Sequence, residues 1–151
     1  SKAASRLSEQ IRDKKFQKKY LAIVDGKMEE NSGVMKDFLL KNEKTNMSKV
    51  VKEGTKNAKE AVLDYEVVKY NEEINMSVVK ITLHTGRHHQ IRVQFKNIGY
   101  PLLGDLLYGN KNKVQIKLFA YKLEFNHPIT KEHIHIKLDI PNEYKKVVEN
   151  E

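Results

Sequence analysis

AVLDYEVVKYNEEINMSVVKITLH, residues 61–84, contains two runs rich in β-branched and aromatic side chains around a polar centre. Ala61 to Tyr70 and Asn75 to His84 read as two strands, and Asn71 to Ile74 as the turn of an antiparallel hairpin. In the second run Val79, Ile81 and Leu83 fall on one face and Lys80, Thr82 and His84 on the other. His84 is therefore expected to point away from the main core.

Upstream of the hairpin, Phe16 to Asp25 predicts another strand, ended by Gly26. Leu21, Ala22, Ile23 and Val24 follow one another without a polar break, which suits a central strand covered on both sides. Leu7 and Ile11 predict an amphipathic helix before it, entered as if from within a domain. Lys27 to Lys56 is polar, with Phe38, Leu39 and Leu40 as its apolar cluster, and reads as an irregular excursion with short elements.

Downstream, Gly86 breaks the strand, and Ile91, Phe95 and Ile98 at i, i+4, i+7 predict a short helix stopped by Gly99 and Pro101. Leu102 to Lys113 reads as a loop, and Val114 to Phe125 as a buried segment containing a strand. Ile134, Ile136, Leu138 and Ile140 alternate with polar residues, predicting a last strand with one buried and one wet face before Pro141. Asn142 to Glu151 reads as a terminal helix or frayed tail. Hairpins with interspersed helices define an α+β class, a mixed and mostly antiparallel central sheet with flanking helices.

The 151 residues make about one domain, with 39% hydrophobic and 32% charged residues. No run approaches the ~20 apolar residues of a spanning helix, so no membrane association is expected. With no cysteine, disulfides and thiolate metal sites are excluded, and a reducing cytoplasm is the expected location. A net charge of +8 and a pI near 9.5 favour a polyanionic partner.

Of 28 Lys and Arg only four are arginines, and Arg87 and Arg92 stand five residues apart among His84, His88 and His89. An arginine where lysine would serve for charge implies a forked donor aimed at a carboxylate or phosphate. Arg92, one position after the core residue Ile91, needs an anion if it turns inward. Arg87, in the strand-to-helix turn, is placed for phosphate. Asp105 is the one acid bracketed by glycines and apolar residues, and reads chiefly as a turn-forming residue bonded to nearby amides. Tyr20 reads as a core tyrosine or as a platform for a base.

A metal is not expected. His84 and His88 are separated by Gly86, and His133 and His135 fall on the wet face of a strand where polar residues belong. The acid pairs Glu29/Glu30, Asp64/Glu66 and Glu72/Glu73 are sequence neighbours on solvent-facing segments and read as surface charge.

KKYLAIVDG, KEAVLDYEV, TGRHHQIRVQFKNIGYPLLGDLLYG and FAYKLEFNHP, in this order, resemble the RluA-type RNA pseudouridine synthases, over about Ser1 to Tyr144. The resemblance implies isomerisation of uridine to pseudouridine in structured RNA, ribosomal or transfer, without a cofactor. It further implies a base flipped out of its stack, at a cost of a few kcal/mol offset by contacts to the RNA backbone. Tyr20 matches the family's tyrosine beside the base, and Arg92 the arginine that holds the nucleophilic aspartate. Arg87, His88, His89 and Gln90 are expected to meet RNA.

The family's nucleophile belongs to an HRLD-type motif that these 151 residues lack, since the first aspartate is Asp13 in an unrelated context. The expectation is a partial catalytic domain over residues 1–151, inactive alone, whose parent is the enzyme. Missing strands would leave a sheet edge that invites self-association. His88 stands where the family has Thr or Ser, a helix N-cap worth ~1 kcal/mol. Gln94 and Phe119 replace histidines, and Leu106 replaces a proline. A non-catalytic RNA-binding module on the same basic face is the alternative, and a metal-dependent hydrolase built on the histidines a third reading.

Overall fold

The computed structural model describes residues 16–149 together with Lys2, Ala4 and Ser5. The helix expected around Leu7 and Ile11 lies outside the described residues. Among the described residues seven strands form one sheet: β1 (Gln17–Asp25), β2 (Ser32–Asn42), β3 (Met47–Val51), β4 (Lys59–Asn71), β5 (Met76–Leu83), β6 (Leu118–Asn126) and β7 (His133–Lys137). Their order across the sheet is β3-β2-β4-β5-β1-β6-β7. Every pairing of these strands is antiparallel, so the sheet is not mixed.

β1 lies between β5 and β6, and its run Leu21 to Val24 is buried throughout. On one face Ala22 and Val24 join Val79, Ile81 and Leu83 of β5 and Leu63 of β4 beneath Ile91 and Phe95 of α1 (Gln90–Asn97). On the other, Leu21 packs with Tyr121 and Ile140, against Val147 and Val148 of the short α2 (Lys145–Val148). Two apolar layers therefore explain why this strand carries no alternation. The hairpin of β4 and β5 pairs as its pattern predicts, Tyr65 opposite Ile81 and Val67 opposite Val79.

The segment expected to be irregular is instead a second hairpin, β2 with β3. Its inward positions include Gly33, before the buried Met35, and Asp37, between Met35 and the buried Leu39, so the period-2 signal is broken. Asp37 is tolerated there because the Gln94 amide donates to it at 3.0 Å. Both hairpins close with one device. The Asn42 side-chain oxygen accepts from the Lys44 and Thr45 amides, the Asn71 oxygen from those of Glu73 and Ile74. Asn46 and Asn75 then take left-handed φ values of 55° and 51°. NEKTN and NEEIN are the same turn.

α1 ends as its sequence predicts, in a Schellman turn: Gly99 has φ 90°, and the Tyr100 amide donates to the Phe95 carbonyl at 2.9 Å. Ile98, expected on the core face, is 41% exposed because the helix stops one residue earlier and the chain swings away. The last strand also departs from its pattern. Ile136 and Leu138 are exposed, because β7 is an edge strand and only Ile140, beyond it, reaches the core. Val114 is exposed as well, at a bend in the connection before β6. Both sheet edges, β3 and β7, are five residues long and carry Lys or His, features that work against edge-to-edge pairing.

Candidate active site

The turn from β5 into α1 is built around one side chain. Gln90 is 3% exposed; its Oε1 accepts from the Thr85 hydroxyl at 2.8 Å and the Arg87 amide at 2.9 Å. Its Nε2 donates to the Val62 carbonyl at 3.2 Å, tying the turn to β4. Gln90 was expected to meet RNA. Its amide is instead engaged inside the protein, and it shapes the turn that presents its neighbours. That turn brings His89 into the left-handed region, φ 54°, immediately before the helix, with no side-chain cap from either histidine.

His88 and His89 stack at 3.8 Å between ring centroids. Nδ1 of His88 hydrogen-bonds Oγ of Ser48 at 2.9 Å, and Nδ1 of His89 hydrogen-bonds the Tyr108 hydroxyl at 2.7 Å. The Tyr108 oxygen also accepts from the Ser48 amide at 2.9 Å. Strand β3 is thereby joined to the helix start and to the single-turn helix Leu106–Tyr108. Both histidines titrate below the usual imidazole value, first through desolvation. The positive charges of Lys41 and Arg92 add to this, partly opposed by Glu43 at His88 and by Asp105 at His89. At neutral pH they are uncharged.

In the first turn of α1, Arg92 lies with its guanidinium 5.1 Å from the Tyr108 ring centroid. Its Nε donates to Asp105 Oδ2 at 2.9 Å and its Nη2 to Oδ1 at 2.8 Å, a side-on fork. Asp105 was expected to be a turn residue, and the anion of Arg92 to be an aspartate outside the chain. The structure corrects the first: the Asp105 side chain is fully buried and both of its oxygens face Arg92. Five donors sit on a guanidinium and this fork occupies two, so the outer edge remains for a further anion.

The Asp105 loop is itself held rigidly. Asn110 accepts from the Gly104 amide at 3.0 Å and donates to Asp25 Oδ2 at 2.7 Å, fastening the loop to the end of β1. Gly104 has φ 85°, and a Cβ there would stand 2.6 Å from the Val114 carbonyl oxygen. Residues 103 and 117 bracket Ile23 through backbone hydrogen bonds of 2.8 to 3.1 Å.

Tyr20, on β1, packs against the same core cluster as Ile91 and Phe95, which places it on the sheet face that carries α1. Burial pushes its phenol above the usual value, so it is protonated at neutral pH. Arg87 donates from Nε to the Glu60 carbonyl at 2.8 Å and, with His88, Lys41, Lys59, Ser48 and Asn57, lines a cleft of about 440 Å³. Neither Tyr20 nor Arg92 lines that cleft. His84 turns to the outer face, as its alternation predicts, and pairs with Asp64 at 2.8 Å. Gln94, at a position where the resemblance expects histidine, is buried below β2 and β4, and its Oε1 has no partner among the described residues.

The sequence model of the family described as RNA pseudouridylate synthase matches residues 1–97. The chain belongs to the RluA-type RNA pseudouridine synthase family. It is 34% identical over 93% of its length to an RNA pseudouridine synthase of Aquifex aeolicus described as uncharacterized, covering 47% of that protein. It is 30% identical over 98% of its length to tRNA pseudouridine synthase C of Haemophilus influenzae, covering 69% of that protein. To ribosomal large subunit pseudouridine synthase C of Pasteurella multocida it is 32% identical over 94% of its length, covering 45%. The chain thus spans about half the length of most of these relatives of known sequence.

The fold of this chain is similar to that of the human RNA pseudouridylate synthase domain containing 1. Its TM-score is 0.76 at 24% identity, covering 91% of this chain and 60% of that one. No helix among the described residues is long and apolar enough to cross a membrane. Ser48 and Tyr108, which position the His88–His89 turn, were not singled out by sequence. Tyr108 has a signal in the DLLYG loop beside Asp105; Ser48 has none, since its role depends on the pairing of β2 with β3.

Proposed function

We propose that the protein to which these residues belong isomerises uridine to pseudouridine in structured RNA, ribosomal or transfer, with the target base flipped out beside Tyr20 and Arg92. The observation that carries this reading is the half-engaged guanidinium of Arg92. Asp105 clamps its inner edge and Tyr108 supports its face, while the side chain stays 24% exposed. Such an arginine is preorganised for one more anion, and the reacting aspartate of an HRLD-type motif is the group the reading assigns to it.

Tyr20, protonated, serves as a ring platform and hydrogen-bond donor to the base. Arg87 and His88 meet the RNA backbone at the cleft beside β3, where Lys41 and Lys59 add positive charge, and His89, stacked on His88, adjoins them. The chemistry on this reading uses no cofactor and takes place in the cytoplasm.

Because the nucleophile is not among these 151 residues, the chain alone is inactive on this reading. The test compares the chain with a polypeptide that also carries an HRLD-type segment, on ribosomal and transfer RNA transcripts, reading pseudouridine by mass spectrometry of nuclease digests. Conversion by the longer polypeptide only is expected. Conversion by the chain alone would overturn the assignment of the nucleophile. RNA binding without conversion by either would favour a non-catalytic binding module.

A further inference from the structure

We propose that Glu124, His133 and His135 form a binding site for a divalent transition-metal ion with nitrogen and oxygen preference, of the zinc type. Alternation on β7 puts His133 and His135 on one face, and the pairing with β6 sets His135 opposite Glu124 and His133 opposite Asn126. The sequence placed the histidines on a wet face, where nothing distinguished them from other polar residues. Glu124 becomes their neighbour only through this register.

The geometry is close to that of a metal site. Two ligands on a tetrahedral zinc, with bonds of about 2.0–2.2 Å, stand roughly 3.3 Å apart. Nδ1 of His135 lies 3.2 Å from Oε1 of Glu124, and one ligand atom from each of the three residues falls within 4.8 Å of the others. Nδ1 of His133 is 3.1 Å from Oδ1 of Asn126. With its proton on that nitrogen, the ring is oriented and Nε2 is left to ligate, the role of an outer hydrogen bond in built metal sites. Two imidazoles and one carboxylate leave a position for water, and imidazole favours zinc over magnesium.

Lys122 opposes the ion, since its Nζ lies 2.8 Å from the same Glu124 oxygen. Lys19 acts on Glu124 in the same sense. An ion bound here would bridge β6 to the edge strand β7, of whose two isoleucines Ile136 is 40% exposed. The site is a staple on the sheet margin, made of residues that take no part in the Arg92 and Tyr20 reading.

The experiment titrates the 151-residue chain with Zn²⁺ by calorimetry and with Co²⁺ by visible absorption, and repeats both with Mg²⁺. One saturable zinc per chain and no magnesium binding are expected. His133→Gln and His135→Gln each weaken zinc at least tenfold, Asn126→Ala weakens it by roughly 10-fold, and Lys122→Gln tightens it. Zinc raises the unfolding midpoint of the parent chain but not of the variant carrying both histidine substitutions. Absence of saturable zinc binding, or affinity unchanged by the two histidine substitutions, overturns the proposal; the latter would place the ion on His84, His88, His89 or His127.

Discussion

Arg92 and Asp105 share two hydrogen bonds of 2.8 and 2.9 Å, yet only the arginine reaches solvent. The two partners are therefore unequal in what their removal leaves behind. Arg92→Met strands a fully buried carboxylate and is expected to cost about 3–5 kcal/mol. Asp105→Asn leaves a guanidinium that still touches water, and its cost is expected nearer ~1–3 kcal/mol. Replacing both, by Met and Leu, is expected to recover most of the loss. Urea unfolding of the three variants measures this; equal costs for the single changes would mean the pair is not buried as described.

The position of Asp105 depends on Gly104. A methyl group there would meet the Val114 and Gln115 carbonyl oxygens at 2.6 and 2.7 Å, at a φ of 85° that side chains avoid. Gly104→Ala is expected to destabilise by roughly 2–4 kcal/mol, from left-handed strain and overpacking together. Gly109, also at positive φ but with none of the described residues within 4 Å of its Cβ position, is the control, and its alanine variant is expected to lose less. Thermal unfolding separates the two, and a Gly104→Ala midpoint no lower than that of Gly109→Ala would refute the close approach.

What could be read in advance divides along a physical line. β1, the β4–β5 hairpin and the end of α1 were legible because their signals are local: a buried apolar run, alternation, a glycine stop. The β2–β3 hairpin was missed because Asp37 occupies an inward position, and only Gln94, 57 residues away, makes that acceptable. NEKTN repeated the turn of NEEIN and could have revealed it. At the site, Arg92 was legible by its residue type. Its partner was not, since Asp105 is brought to it by Asn110 and Asp25, contacts that span 85 residues.

The histidine pair predicts a pH response. His88 and His89 both have folded-state values lowered from 6.5, so the unfolded chain binds more protons than the folded one as pH falls below that value. Stability is then expected to be fully present above about 6.5 and to decline from there toward the lowered values. His88→Gln with His89→Gln is expected to flatten the dependence between pH 7 and 5.5. Unfolding midpoints across that range provide the measurement, and an unchanged slope in the double variant would locate the proton uptake elsewhere.

Since both histidines are neutral at pH 7, the positive charge of the cleft beside β3 comes from Arg87, Lys41 and Lys59. If that cleft follows an RNA backbone, each cation contributes through release of counterions from phosphate, and sequence matters little. Arg87→Gln is expected to weaken binding of structured RNA to a similar degree across sequences and to reduce the salt slope by about 1. Lys137→Gln, on the opposite edge strand β7, is expected to leave the slope unchanged. Filter binding between 50 and 200 mM salt, roughly the span over which phosphate contacts are resolved, distinguishes the two. Equal loss in both variants would mean that RNA responds to net charge alone and that the cleft is not its path.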